Sequence, residues 1–275
     1  MSYGRRLAWL KEQRTTMVLF DMDGTLTEPR SSLDKDLVPL LEDLSEKAEI
    51  GIVTGSDYEY LKQQIGFLMD RSKIRYKLHL LPCNGTKYYP PPSTASEDHA
   101  LRFEKDMFEE LGPERFRNLM TCILEVQEHI SKLRIPLTGH FVDYRGSMIN
   151  WCPIGRNADK KQRAEFILMD NERTPSMREK YLDRLKIKIE YTCNGVVCKL
   201  GGDTSFDIYP TGWDKTYALS HFRNYKEIFF VGDRCEPNGN DYEIYQALGK
   251  NSYETVSTKE TMEIIKEIIM RIKSN

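Results

Sequence analysis

Apolar residues fall in short unbroken runs near both ends of the chain and in shorter, glycine-separated segments through its middle. Residues 17–20 are four consecutive apolar positions followed at once by acidic residues and glycine. That pattern predicts a strand buried on both faces of a parallel sheet. Leu33, Leu37, Leu40, Leu41 and Leu44 recur at helical spacing within 33–47. A second run at 50–53 is broken by Thr54-Gly55-Ser56-Asp57, and Asp57 is placed to cap a helix over 58–65. Strand, helix, strand, helix opens an α/β sheet with right-handed crossovers.

The texture changes after Tyr89-Pro90-Pro91-Pro92-Ser93-Thr94, the clearest linker signal in the chain. A helical stretch over 100–133, interrupted at Gly112-Pro113, precedes short segments at 141–144, 147–152, 196–200 and 205–209, with helices predicted over 158–169 and 176–188. The short segments predict an antiparallel sheet. From Gly212 the first texture returns, with a buried-strand run at 228–231 and a closing helix over 260–273. The expectation is an α/β protein: a parallel-sheet, Rossmann-like core carrying an inserted α+β cap domain built on an antiparallel sheet. The core takes residues 1–89 and 211–275 and the cap takes 90–210.

Composition narrows the function classes. With 40 basic against 42 acidic residues, net charge is −2, so no global field recruits nucleic acid or an anionic membrane. No apolar stretch is long enough to span a bilayer, and residues 1–14 lack a secretory apolar core, so the expected location is cytoplasmic. The six cysteines form no CxxC pair and the five histidines are dispersed, which argues against a disulfide framework or a zinc site.

The chemistry concentrates in Asp21-Met22-Asp23-Gly24-Thr25-Leu26-Thr27, immediately after the first run, where open α/β sheets place their ligands. Two carboxylates two residues apart permit one to ligate a hard cation and attack phosphorus while the other handles a proton. Gly24 allows a sharp turn and close approach to a phosphate. Asp21 alone reads equally well as a strand end, and no GxxxxGK[ST] loop accompanies it.

The full string DxDGTLT resembles the nucleophile motif of the haloacid dehalogenase (HAD) superfamily of phosphotransferases. That resemblance assigns Thr54, Gly55 and Ser56 to phosphate binding and Lys215 to charge neutralisation at the nucleophile. It gives Asp233 to magnesium and Asn240 and Asp241 to support of the metal site. Lys215 by itself reads as a solvated lysine and Asn-Asp as a turn; four motifs in order carry the assignment. Mg²⁺ takes oxygen ligands. Asp21 and Asp233 supply carboxylates, with the Asp23 backbone carbonyl as a third protein ligand by analogy. Asp21 is then the nucleophile and Asp23 the general acid and base.

In the middle segment Arg145, Arg156 and Arg163 lie on adjoining elements and are expected to converge on a second phosphate, which guanidinium groups bind bidentately. Ser205 and Asp207 share one strand face and suit sugar hydroxyls or a phosphate edge. Each arginine alone also reads as a surface ion pair. Together with Gly201–Lys215 and Gly232–Tyr245, these strings resemble the eukaryotic-type phosphomannomutase family. The family implies interconversion of mannose 6-phosphate and mannose 1-phosphate through an aspartyl phosphate and a hexose 1,6-bisphosphate (glucose or mannose), with Mg²⁺. It further implies a homodimer through the caps and supply of GDP-mannose synthesis. Arg30 matches the arginine closing DxDGTLTxxR and joins the substrate-binding set. Two departures stand out. Val53-Thr54-Gly55-Ser56-Asp57 replaces the family's VGGSD, and Ala247 occupies the position of a second-cation aspartate. A HAD sugar phosphatase would use water as acceptor and need no second phosphate clamp. A non-catalytic sugar-phosphate-binding protein would have no use for the Asp21, Asp23, Lys215 and Asp233 set.

Overall fold

A computed structural model describes residues 16–29, 31–172 and 174–274, with backbone alone at 273 and 274. The described chain forms two compact units. One comprises the residues up to Glu104, Lys215–Pro237 and those from Asp241 onward; the other comprises Lys105–Asp214 and Asn238–Asn240.

The first unit is built on a five-stranded parallel sheet, ordered β11-β10-β1-β2-β3. Its strands are β1 (Thr16–Phe20), β2 (Glu49–Val53), β3 (Leu78–Leu81), β10 (Glu227–Gly232) and β11 (Ser252–Glu254). β1 lies at the centre, and alternation sends Val18 and Phe20 into one cluster, Met17 and Leu19 into the other. Burial on both faces is why its apolar run is unbroken. One face is covered by helices α1 (Leu37–Ser45), α2 (Tyr58–Asp70) and α7 (Thr258–Ser274), which contribute Leu41, Leu44, Leu61, Ile65, Ile265 and Ile268. The other is covered by Ala218 and Phe222 of the 3-10 segment Lys215–Phe222 and by Ile244 of helix α6 (Tyr242–Leu248). α1 starts four residues later than the leucine spacing predicts, because Leu33 is tied by its N–H to the Gln64 carbonyl at 3.0 Å and stands outside the helix. α2 runs past the predicted end at 65, continuing its buried stripe through Leu68 and Met69.

Residues 100–106 are not helical. Phe103–Glu104 forms β5, pairs with β4 (Lys87–Tyr88), and packs its phenyl ring on Tyr217 and His221. Residues 90–104 therefore belong with the parallel-sheet unit. Helix α3 (Met107–Ser131) begins only after Asp106, whose carboxylate caps Glu109 N–H at 2.9 Å. Gly112, at φ 74° and ψ 165°, breaks it one residue before Pro113, as the proline ring demands.

The second unit has a four-stranded antiparallel sheet, β6-β7-β9-β8: Val142–Tyr144, Ile149–Trp151, Ser205–Pro210 and Val196–Gly201. α3 and α5 (Met177–Thr192) lie against it. α5 and α4 (Lys160–Asn171) each open with a capping box, from Ser176 with Glu179 and Asp159 with Gln162. Among the described residues no helix is long and apolar enough to cross a membrane.

Candidate active site

The acidic centre arises from parallel register. Phe20 pairs with Val231 on one side and Ile52 on the other, so Asp21, Thr54 and Asp233 all leave the sheet at the same edge. Asp21 N–H donates to the Val231 carbonyl at 2.9 Å, holding the nucleophile candidate against β10. The turn that follows closes on itself: Gly24 N–H donates to the Thr27 carbonyl at 2.7 Å. Gly24 has φ +88°, and a β-carbon there would stand 2.2 Å from Asp233 Oδ2. No residue with a side chain fits, because the turn must pass directly under that carboxylate.

Lys215 comes from the other end of the chain and is fully buried. Its ammonium donates to Asp21 Oδ1 and, at 2.5 Å, to Asp241 Oδ1. Asp241 is itself fully buried, and its second oxygen accepts the Arg234 N–H at 3.1 Å. Burial opposes a charged Lys215, but Asp21 and Asp241 outweigh it and hold the ammonium well above its ordinary pKa. Burial pushes Asp21 above the usual carboxylate range, with Asp241 and Asp233 adding to the shift against the pull of Lys215. Asp233 is pushed up to about 6, first by burial and then by Asp241.

Carboxylate oxygens of Asp21, Asp233 and Asp241 lie within 4.8 Å of one another. The three carboxyls face the Lys215 ammonium, with Arg234 Nε 3.9 Å from Asp233 Oδ2. An all-oxygen donor set suits a hard divalent ion such as Mg²⁺.

Asp23 is held differently. Its Oδ1 accepts from Gln64 Nε2 at 3.0 Å and from Tyr60 Oη at 3.2 Å, both on α2. At the end of β2, Thr54 is buried and its hydroxyl accepts the Ser56 N–H at 3.1 Å. The Ser56 carbonyl accepts the Cys83 N–H at 2.9 Å. Gly55 lies between them, buried.

In the second unit, Arg145 Nε donates to Asp143 Oδ2 at 3.0 Å, and Arg156 Nε faces the same oxygen at 3.5 Å. Arg156 Nη1 donates to Asn150 Oδ1 at 2.7 Å, while Asn150 Nδ2 donates to Asp207 Oδ1 at 2.8 Å and Ser205 Oγ at 3.1 Å. Arg145, Arg156, Ser205 and Asp207 thus form one network around Asn150 and Asp143. Arg163 is held by Thr204 Oγ1 at 2.7 Å and by the Ala158 and Arg156 carbonyls. A β-carbon at Gly201 would meet the Asp207 carboxylate at 2.6–2.8 Å, so glycine there makes room for that acid.

Arg30 lies outside the described residues. Asn240 falls in the short segment grouped with the second unit, and its Oδ1 is buried without a hydrogen-bond partner. Sequence reasoning assigned no role to Tyr60, Gln64, Asp143, Asn150 or Thr204. Strand register is the one signal that reaches Asn150, which pairs directly with Asp207.

A parallel sheet with acidic groups at its strand ends and a second, antiparallel-sheet unit inserted in the chain defines a protein of the HAD type. Its fold resembles that of a solved IMP-nucleotidase from Plasmodium falciparum, with TM-score 0.64 and 15% identity over 94% of this chain and 69% of that one. The family model described as eukaryotic phosphomannomutase matches residues 37–271. A phosphomannomutase from Saccharomyces cerevisiae is 35% identical over 94% of this chain and 96% of its own, a span that takes in Asp21. Phosphomannomutase 1 of Dictyostelium discoideum is 37% identical over 83% and 86%. The chain belongs to the eukaryotic phosphomannomutase family and is an enzyme of that type.

Proposed function

We propose that the chain interconverts mannose 6-phosphate and mannose 1-phosphate, with Asp21 carrying the phosphoryl group between half-reactions. The observation that carries this reading is the pairing of Asp21 with a fully buried Lys215 inside a three-carboxylate cluster. A carboxylate attacks an anionic phosphoryl group only where fixed positive charge offsets their repulsion, and Lys215 is placed to supply it. Asp21, Asp233 and the Asp23 carbonyl would hold Mg²⁺, with Asp241 keeping Lys215 charged and in place; the ion, when bound, adds further electrostatic stabilisation of the transferring group.

In the forward half-reaction an Asp21 carboxylate oxygen bonds to phosphorus as the bond to the sugar oxygen breaks. Asp23 gives that oxygen a proton. In the second half-reaction Asp23 takes a proton from the acceptor hydroxyl, which attacks phosphorus and releases Asp21. Thr54 or Ser56, with Gly55, binds the transferring phosphate. Arg145, Arg156 and Arg163 bind the hexose bisphosphate's other end, Ser205 and Asp207 its hydroxyls or a phosphate edge, and Arg30 completes the substrate-binding set. A hexose 1,6-bisphosphate primes Asp21. The enzyme works in the cytoplasm as a homodimer through its caps and supplies GDP-mannose synthesis.

The test is purified enzyme with mannose 6-phosphate and Mg²⁺, with and without catalytic glucose 1,6-bisphosphate, followed by phosphorus NMR. Bisphosphate-dependent mannose 1-phosphate is expected. Free phosphate alone would replace the mutase with a phosphatase, and no turnover under either condition would leave a binding protein.

A further inference from the structure

The antiparallel sheet of the second unit divides its faces between apolar and polar side chains. Register pairs Asp143 on β6 with Asn150 on β7, Asn150 with Asp207 on β9, and Asp207 with Lys199 on β8. Their neighbours Ile149, Trp151, Phe206 and Ile208 are fully buried and belong to the opposite face. Asn150 lies within this polar row and is 4% exposed, as is Asp207. Asparagine is depleted from strands, and a buried amide persists only with its hydrogen bonds made. An interior strand position thus carries a residue that strand propensity disfavours, a local conflict of the kind expected at functional positions.

The amide's bonds go to groups already assigned to substrate. Its Oδ1 accepts from Arg156 Nη1 at 2.7 Å, and its Nδ2 donates to Asp207 Oδ1 at 2.8 Å and Ser205 Oγ at 3.1 Å. Chemistry fixes its orientation, since a guanidinium only donates and an ionised carboxyl only accepts. One neutral group therefore stands between a cation and an anion, joined to each by a charge-assisted hydrogen bond. In direct contact, Arg156 and Asp207 would pair with each other and compete with an incoming phosphate. The stem of Arg156 is placed separately. Its N–H donates to the His140 carbonyl at 3.1 Å, and a β-carbon at Gly155 would stand 2.2 Å from the Gly139 carbonyl oxygen, so the two backbones meet there. The guanidinium plane is then set at two of its nitrogens, by Asn150 at Nη1 and by Asp143, 3.5 Å from Nε.

We infer that Asn150 is a positioning residue for the sugar-phosphate contacts of the second unit, a neutral bridge that aims Arg156 at phosphate and Asp207 at the sugar while keeping the two from pairing. This rests on the phosphate-binding role given to Arg156 above. The amide suits the task because it alone among small uncharged side chains offers an acceptor to the guanidinium and two donors to the carboxylate and hydroxyl at once. An apolar residue would leave both charges unbridged, and an acid would hold Arg156 in an ion pair of its own.

Equilibrium binding separates this role from a structural one, because a protein that is less stable but still folded keeps its affinity. Glucose 1,6-bisphosphate is titrated by calorimetry, with Mg²⁺, into the full chain carrying Asp21→Asn, which lacks the nucleophile. The titration is repeated after adding Asn150→Ala, Arg156→Ala or both, with urea unfolding followed on each. Arg156→Ala is expected to weaken binding about tenfold or more, as loss of a charge-assisted contact implies. Asn150→Ala is expected to weaken it about tenfold. The double variant should lose much less than the product of the two, because Asn150 acts through Arg156. If the two effects multiply, or if Asn150→Ala lowers stability and leaves affinity unchanged, the positioning role is overturned and the clamp stands. Unchanged affinity in Arg156→Ala overturns the clamp, and no binding by the Asp21→Asn chain overturns the hexose bisphosphate reading itself. Asn150→Asp keeps the side chain's size and its acceptor for Arg156, and serves if Asn150→Ala fails to fold. It sets two carboxyls together and gives Arg156 a charged partner, so binding should again weaken about tenfold or more. Undiminished affinity in that variant would show that no neutral bridge is needed and overturn the proposal.

Discussion

Lys215 reaches across 194 residues of chain to place its ammonium on Asp21, and it does so with no solvent exposure at all. The pair is a fixed electrostatic element rather than a surface contact. Removing one partner of a buried ion pair leaves the other's charge uncompensated.

Lys215→Met keeps the volume of the stem and deletes the charge. Asp21 and Asp241 then lose their shared cation, and only Arg234, 3.9 Å from Asp233 Oδ2, still offsets the acidic cluster. Unfolding free energy in urea is expected to fall by about 3–5 kcal/mol without added metal, and millimolar Mg²⁺ to restore part of it. Turnover should drop about a hundredfold or more. A variant as stable and active as wild type would remove the ion pair from both roles.

Asp21→Asn takes away the nucleophile and with it a carboxyl whose pKa is raised first by burial and then by Asp241 and Asp233, while Asp241 still pairs the Lys215 ammonium. We expect turnover to fall by roughly three or more decades, with thermal stability unchanged or higher. Acid-quenched protein should carry no phosphate after incubation with glucose 1,6-bisphosphate. Normal turnover in this variant would end the covalent mechanism.

The pH dependence of metal-free stability follows from Asp233. Its folded pKa of about 6 lies above the ordinary 3.8, so between those values the native state binds more protons than the unfolded chain. Its contribution is therefore lost as pH rises through that window, amounting to about 2–3 kcal/mol at 1.36 kcal/mol per unit. Asp233→Asn removes it. The stability difference between variant and wild type in EDTA should grow from pH 4 to pH 7 in favour of the variant, and saturating Mg²⁺, which takes the deprotonated acid, should shrink or reverse it. A difference flat with pH would contradict the assignment.

Arg163 is oriented by Thr204 and Arg156 by Asn150 and Asp143. Arg156→Ala and Arg163→Ala should each reduce mutase flux more than the slow hydrolysis of hexose bisphosphate, because only the mutase must hold the intermediate while it turns over. The ratio of mannose 1-phosphate to free phosphate, read by phosphorus NMR, is expected to fall about tenfold or more for loss of a bidentate phosphate contact. Equal loss of both activities would remove the clamp.

What could be read along the chain was whatever burial or local backbone geometry imposes. The unbroken runs of β1 and β10 follow from sheet faces covered on both sides, and the helix cap at Asp57 is a local hydrogen bond. The tight turn at Gly24 follows from a steric fact about its immediate neighbourhood. β3 escaped because His79 interrupts Leu78–Leu81; its imidazole is buried only because Tyr88 and Glu49 hydrogen-bond to it at 2.8 and 2.7 Å. β5 escaped because two residues show no period, and their pairing with β4 is set by rings distant in sequence.

The chain alone determined which side chains carry charge and that they stand at strand ends. Tertiary structure alone decided that Lys215 spans Asp21 and Asp241, that Gln64 and Tyr60 grip Asp23, and that Asn150 gathers Arg156, Ser205 and Asp207. Such contacts join residues dozens to hundreds of positions apart. Their energy exists only once the packed core has excluded water and closed the intervening loops.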